Sequence, residues 1–129
     1  MSPHLFSSVP NDYMQFGLGD SFEARRVPHV LGLKKDDVAH LAQVSPKSVR
    51  YDEQIPERVR ERLEEIAQTI NLVAQAFDGD VQKTVTWFKL RNPMLGDVAP
   101  RDMIRLGRYE RLRKFIITAM TERNAKPTH

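Results

Sequence analysis

The chain reads as an all-α protein, and three observations carry that expectation. Val59, Leu63, Ile66, Ile70, Val73 and Phe77 follow one another at spacings of 4, 3, 4, 3 and 4. Only a helix places such a heptad seam on one side. No stretch alternates apolar and polar residues in the two-residue period of a half-buried strand. Helix stop and start signals recur instead, most plainly at Asp78–Gly79–Asp80, where a glycine break is followed by an N-cap residue.

Residues 1–20 are rich in Ser, Pro, Asn, Asp and Gly and hold no sustained period. They read as a flexible N-terminal arm, loosely ordered unless a partner holds it. Gly17–Leu18–Gly19 lacks a preceding strand, so it reads as linker and not as a phosphate loop.

Residues 21–55 form the next region. Phe22, Val27, Val30 and Leu31 predict a short first helix, delayed by Pro28 and ended by Gly32. Lys34–Gln43 predicts a second, with Val38, Leu41 and Ala42 inward. Ser45 as N-cap and Pro46 at the first helical position then open a third. Short helices joined by a tight turn give the outline of a helix-turn-helix.

Residues 56–77 are the long central helix that carries the seam. Arg58, Arg62, Glu65 and Gln68 lie opposite it, and in a chain this short the seam is expected in the core rather than in a coiled coil. Residues 78–123 begin with a helix over Val81–Leu90 that buries Val81, Val85, Phe88 and Trp87. The stretch RNPMLGDVAPRDMIRLG (91–107) follows. Asn92–Pro93 stops the preceding helix, Gly96 permits a left-handed backbone, Pro100 opens a two-turn helix with Met103, Ile104 and Leu106 on its apolar side, and Gly107 breaks it. The last helix, about Arg108–Arg123, faces Leu112, Phe115, Ile116, Ala119 and Met120 inward, and 124–129 is a polar tail.

Composition bounds the function. A chain of 129 residues makes one domain, or one domain with an arm. Zero cysteines leave no disulfide framework and no thiolate site. With no apolar run near the ~18 residues of a membrane span and no signal-peptide pattern at the N-terminus, no membrane partner and a cytoplasmic location are expected. Charge is uneven: residues 1–77 hold nine Lys/Arg against eleven Asp/Glu, whereas 78–129 hold eleven against six. The basic C-terminal part suits an acidic surface or a polyanion.

Trp87, Asn92–Pro93, Leu95–Gly96, Pro100, Ile104 and Gly107 resemble the signature of the antitoxin Xre/MbcA/ParS toxin-binding domain. Upstream, Leu31–Gly32–Leu33, Val38–Ala39 and Val44–Ser45–Pro46–Lys47–Ser48–Val49 resemble the Xre-type helix-turn-helix that usually precedes it. Together they cover about residues 27–118 in the family's order. The resemblance implies an Xre-like helix-turn-helix half, a small helical toxin-binding half, and the long helix joining them. It implies an antitoxin of a type II toxin–antitoxin module that binds over the active site of a RES-domain, NAD⁺-consuming toxin and represses its own operon. The alternative is a stand-alone helix-turn-helix regulator of transcription whose basic C-terminal helices meet phosphate. One departure is visible: Tyr51 is followed by Asp52–Glu53–Gln54–Ile55–Pro56, where family members often carry a glycine.

On the helix-turn-helix reading Lys47, Ser48 and Arg50 are the DNA-binding residues, the first and last able to address guanine edges and Ser48 phosphate. Arg101, Arg105, Arg108, Tyr109 and Arg113 are the expected toxin-binding residues, since Arg and Tyr are the types enriched at interface hot spots. Operator DNA is a second expected partner, and a homodimer or a higher hetero-oligomer with toxin the expected assembly. No cofactor, metal or catalytic residue is expected. His4, His29, His40 and His129 are scattered, and neither a phosphate loop nor an HExxH spacing occurs.

Overall fold

A computed structural model of the chain describes residues 10–125, with side chains to residue 123. Six α-helices make up the described fold: α1 (Arg26–Leu31), α2 (Lys35–Ala42), α3 (Glu57–Ala76), α4 (Val81–Lys89), α5 (Pro100–Arg105) and α6 (Tyr109–Ala125). Three single 3-10 turns, Gly19–Ser21, Pro46–Ser48 and Pro93–Leu95, lie between or before them. Among the described residues there is no strand, only one isolated bridge between Asn92 and Val98. The protein is all-α. No described helix is long and apolar enough to cross a membrane.

α3 is the centre. Val59, Leu63, Ile66, Ile70 and Val73 are all buried, and Ala67 and Ala74 widen the stripe. A width beyond the bare heptad seam marks a core helix with neighbours on several sides. α1, α2, α4 and α6 all pack on α3, while α5 bridges α2, α4 and α6. One apolar cluster runs from Met14 and Phe16 through Val27, Leu31 and Val38 to Phe88, Ile104, Leu112 and Ile116. One core thus serves the whole described chain.

Several local expectations need correction. The arm, read as loose over 1–20, is docked from Asn11 onward, and residues 1–9 lie outside the described ones. Met14 and Phe16 are buried. The Asp12 carboxylate accepts from the backbone N–H groups of Phe16 and Gly17 at 3.0 and 2.8 Å and from Asn71 Nδ2 at 3.1 Å. Asn71 Oδ1 in turn accepts from the Met14 N–H at 3.0 Å. Arg26 and Arg60 add bonds to the carbonyls of Met14 and Gly19. Neither single apolar pegs nor a distant Asn partner leaves a periodic mark in sequence.

The helix expected at Ser45–Tyr51 is a single 3-10 turn followed by extended chain. Val49 is drawn into the core with an extended backbone (φ −77°, ψ 116°). Asp52 then offers its carboxylate to the Gln54 N–H at 3.0 Å, a local bond that competes with helix. Val81, expected inside, is exposed, and Thr84 takes its place in the core with its hydroxyl donating to the Asp80 carbonyl. Leu106 and Ala119 also point outward. α6 continues through Ala125, two residues into the expected tail, and 126–129 lie outside the described residues.

Leu63→Ala should lower unfolding free energy by about 3 kcal/mol, because it removes a fully buried side chain and leaves a cavity against α3's neighbours. Glu61→Ala, one turn's corner away and exposed, should stay within about 0.5 kcal/mol. Urea titration of both variants against the parent checks the contrast.

Candidate interaction surface

Lys47, Ser48 and Arg50 do not share the exposed N-terminal turn of a recognition helix, because no such helix forms there. Lys47 is exposed, and Ser48 Oγ sits 3.0 Å from Ser45 Oγ. Arg50 is bound to Asp52 through two nitrogens, at 2.6 and 2.9 Å. That ion pair holds the Asp52 carboxyl below the usual carboxylate range and raises Arg50 above its ordinary value. Tyr51, half-buried, lies under the Arg25 guanidinium at 5.7 Å, and burial pushes its phenol up.

The five expected toxin-binding residues separate into different roles. Tyr109 is only 4% exposed, which corrects its assignment to the surface. Its ring lies 5.3 Å from the Arg62 guanidinium carbon and its hydroxyl 2.8 Å from Thr69 Oγ1. Thr69 donates its proton to the Glu65 carbonyl at 3.0 Å, so the phenol is the donor to Thr69. Burial pushes the Tyr109 phenol up to about 12. Tyr109 lies three and seven residues before Leu112 and Ile116 on the inward face of α6, so helical spacing marks it as buried, and only its residue type suggested an interface.

Gly107 has φ +81°, and a Cβ there would meet His40 Nε2 at 3.1 Å. This glycine both turns the chain and lets the α5–α6 junction approach His40 of α2 closely.

Arg101 reaches across to α1, where Nη1 donates to the Leu31 carbonyl at 3.3 Å at the helix's C-terminal end. It is a brace between α5 and α1. Arg105 pairs with Asp102 at 3.1 Å, and Arg113 lies 4.0 Å from Glu110. Arg108 is exposed, and among the described residues no acid pairs with it.

Two features go beyond what the turn signals predict. The first is how firmly the corner at the end of α4 is held. Asn92 Oδ1 accepts from the Met94 N–H at 2.9 Å, the Asn92 N–H donates to the Val98 carbonyl at 3.1 Å, and Asp97 returns to the Asn92 carbonyl at 3.0 Å. Gly96 sits between them at φ +73°. This turn carries Met94 at 76% exposure, four residues after Leu90 at 59%, with Trp87 half-buried near the end of α4. Helix arithmetic marks Leu90 as the last helical residue but not which way Met94 faces.

The second is a cleft of about 510 Å³ between the C-terminal end of α2 and the α5–α6 junction. His40, Gln43, Val44, Leu106, Arg62 and Glu110 line it, and Leu106 is 53% exposed at its rim. Arg62 bridges Glu65 and Glu110 at 3.4 and 3.1 Å, so its charge is already answered within the chain. Among the described residues no group of three or more His, Asp or Glu side chains is placed to hold a metal ion.

Comparisons with known protein families, with curated proteins and with solved structures find no match to this chain.

A measurement follows from Tyr109. Its phenol is raised in the fold from an ordinary value near 10, so the neutral form is favoured there. The resulting stability is whole below about pH 10 and is lost as pH rises from about 10 to 12. At two units it amounts to at most about 2.7 kcal/mol. Tyr109→Phe should therefore be less stable than the parent by about 1 kcal/mol at pH 8, and the gap should close or reverse by pH 11. Chemical denaturation at both values tests this; a gap that stays constant would remove Tyr109 from the alkaline transition.

Proposed function

We propose that the chain is the antitoxin of a type II toxin–antitoxin module, and that its partner is a RES-domain toxin that consumes NAD⁺. The resemblance carried by Trp87, Asn92–Pro93, Leu95–Gly96, Pro100, Ile104 and Gly107 names the partner class. One structural observation supports a protein-binding role for the same stretch: a hydrogen-bonded corner that projects Leu90 and Met94 into solvent. Met, aromatic and Arg side chains are the types enriched at the centres of protein interfaces. A rigid turn presents them without an ordering cost on binding. Single exposed apolar residues are common, but here two lie four residues apart on a backbone fixed by three hydrogen bonds.

On this reading the toxin docks over the corner and the adjoining arginines. Arg105 keeps an exposed guanidinium group for acidic residues at the rim of the toxin's cleft, and Arg113 flanks it. Arg101 acts indirectly, by bracing α5 against α1. Tyr109 acts from the core, by fixing where α6 begins. Neutralisation is occlusion of the toxin's cleft and needs no chemistry from this chain.

The test is co-expression with a RES-type toxin encoded beside it, followed by size-exclusion chromatography and a cellular NAD⁺ assay. The parent chain should form a complex that survives about 0.5 M salt, where exposed charges are screened over less than 10 Å, and NAD⁺ should be preserved. Leu90→Asp with Met94→Asp should weaken the complex at least about tenfold, a loss of about 1.4 kcal/mol, and restore NAD⁺ depletion. Full neutralisation by that double variant would remove the corner from the interface, and absence of any complex with the parent would remove the antitoxin reading itself.

A further inference from the structure

α6 carries more positive charge on its outer side than the fold uses. Arg108, Arg111 and Lys114 are all exposed and follow one another at three-residue steps across the start of the helix. Among the described residues none of them pairs with an acid. The acids nearby are engaged elsewhere: Glu110 turns to Arg62 and Arg113, and Asp102 to Arg105 and Arg101. Glu122 lies eight residues beyond Lys114, about two turns along the helix.

Helix stability gives no reason for this placement. Cations in the first turns of a helix oppose its macrodipole, which favours negative charge at that end. The same field adds to the three side chains as seen by an anion approaching from outside. At about 1.5 Å of rise per residue the three span about 9 Å. One strand of duplex nucleic acid offers a phosphate every ~3.4 Å of axis, so that length faces two or three phosphates.

We propose that this side of α6 binds the phosphate backbone of double-stranded DNA, independently of base sequence, through Arg108, Arg111 and Lys114. Residues 45–51 contribute nothing to it. They form a turn rather than a helix, and Arg50 is already answered by Asp52. The partner is a polyanion and not an acidic protein face for a structural reason: the stripe has no exposed apolar centre. Between Arg108 and Arg111 stand Tyr109, buried, and Glu110, exposed but turned to Arg62 and Arg113, and between Arg111 and Lys114 stand Leu112, buried, and Arg113, half-buried. Protein interfaces of useful affinity need a desolvated apolar core, whereas phosphate contacts do not.

The experiment is fluorescence anisotropy of a labelled duplex of arbitrary sequence, titrated with the whole chain to about 100 μM, the weak end of sequence-independent binding. With three phosphates neutralised, affinity should fall about fortyfold between 50 and 200 mM salt, from a log–log slope of about −0.9 per contact. Arg111→Glu with Lys114→Glu should abolish binding, and the Gln pair at the same positions should weaken it by at least tenfold while keeping the parent's circular dichroism. Lys47→Glu with Arg50→Glu should bind as the parent does. A second duplex of unrelated sequence should bind equally. No binding by the parent at 50 mM salt overturns the proposal and leaves the stripe to an acidic protein. Loss of binding in the Lys47/Arg50 variant alone overturns it in favour of the turn.

Discussion

The fold depends on one apolar stripe along α3. Val59, Leu63, Ile66, Ile70 and Val73 are five large side chains that leave almost no surface to water, and each needs a neighbour. A twenty-residue helix with that much to bury cannot be covered by one partner. α1 and α2 close over one part of it, α4 and α6 over others, and the arm residues Met14 and Phe16 fill what remains. The short helices α1 and α5, six residues each, are too short to persist alone. Val27 and Leu31 on α1 and Met103 and Ile104 on α5 are held because the stripe and its coverings supply the apolar surface they bury against.

Apolar burial alone would leave the register of these coverings loose. Two polar residues of α3, Thr69 and Asn71, lie beside the stripe and remove that freedom. Thr69 is answered by Tyr109 and Asn71 by Asp12 and the Met14 N–H. Left unmet, each would cost about 1–3 kcal/mol, so a slip of α6 or of the arm is penalised more than the apolar contacts alone would penalise it. Contacts from Arg62–Glu110 to Arg123–Ala76 ascend together on α3 and α6, so the two helices run in the same sense from this shared tie. The start of α6 is thereby fixed in three ways: Gly107 turns it, Thr69 anchors Tyr109, and Arg62 lies over the ring.

What could be read from the sequence follows the same division. Periodic burial was legible, and α2, α3 and α4 lie where spacing and caps put them, with Asp80 accepting from the Lys83 N–H as an N-cap should. Residues whose fate is decided by one distant partner were not. Nothing local distinguishes Asn71 from a solvated amide or Arg101 from a surface cation, whereas Tyr109 stands in helical phase with Leu112 and Ile116. The Ser-Pro signal at Ser45–Pro46 was misleading for a physical reason: it opens a turn equally well, and Val49 gains more by entering the core extended than by continuing a helix. The corner at Asn92–Val98 was legible as a turn, but the direction of Met94 is set by the Asn92 side chain, not by any period.

The same competition decides what the charges are for. Counted along the chain, residues 78–129 carry eleven Lys/Arg against six Asp/Glu. Counted on the surface, much of that excess has been taken up. Arg101 serves a carbonyl at the end of α1 and Arg123 one at the end of α3, where cations complement the helix dipole. Arg91, Arg105 and Arg113 each stand beside a nearby acid. Such exposed pairs add little to stability, but they flatten the field over α5 and the corner. An apolar contact at Leu90 and Met94 is then not opposed by a ring of like charge. Among the described residues of this part, the cations left without a partner are Lys83 and Lys89 on α4 and Arg108, Arg111 and Lys114 at the start of α6, and the last three follow one another closely. Two surfaces of different character result, one with exposed apolar side chains at Leu90 and Met94, the other basic and without an exposed apolar centre, and they suit partners of different chemistry.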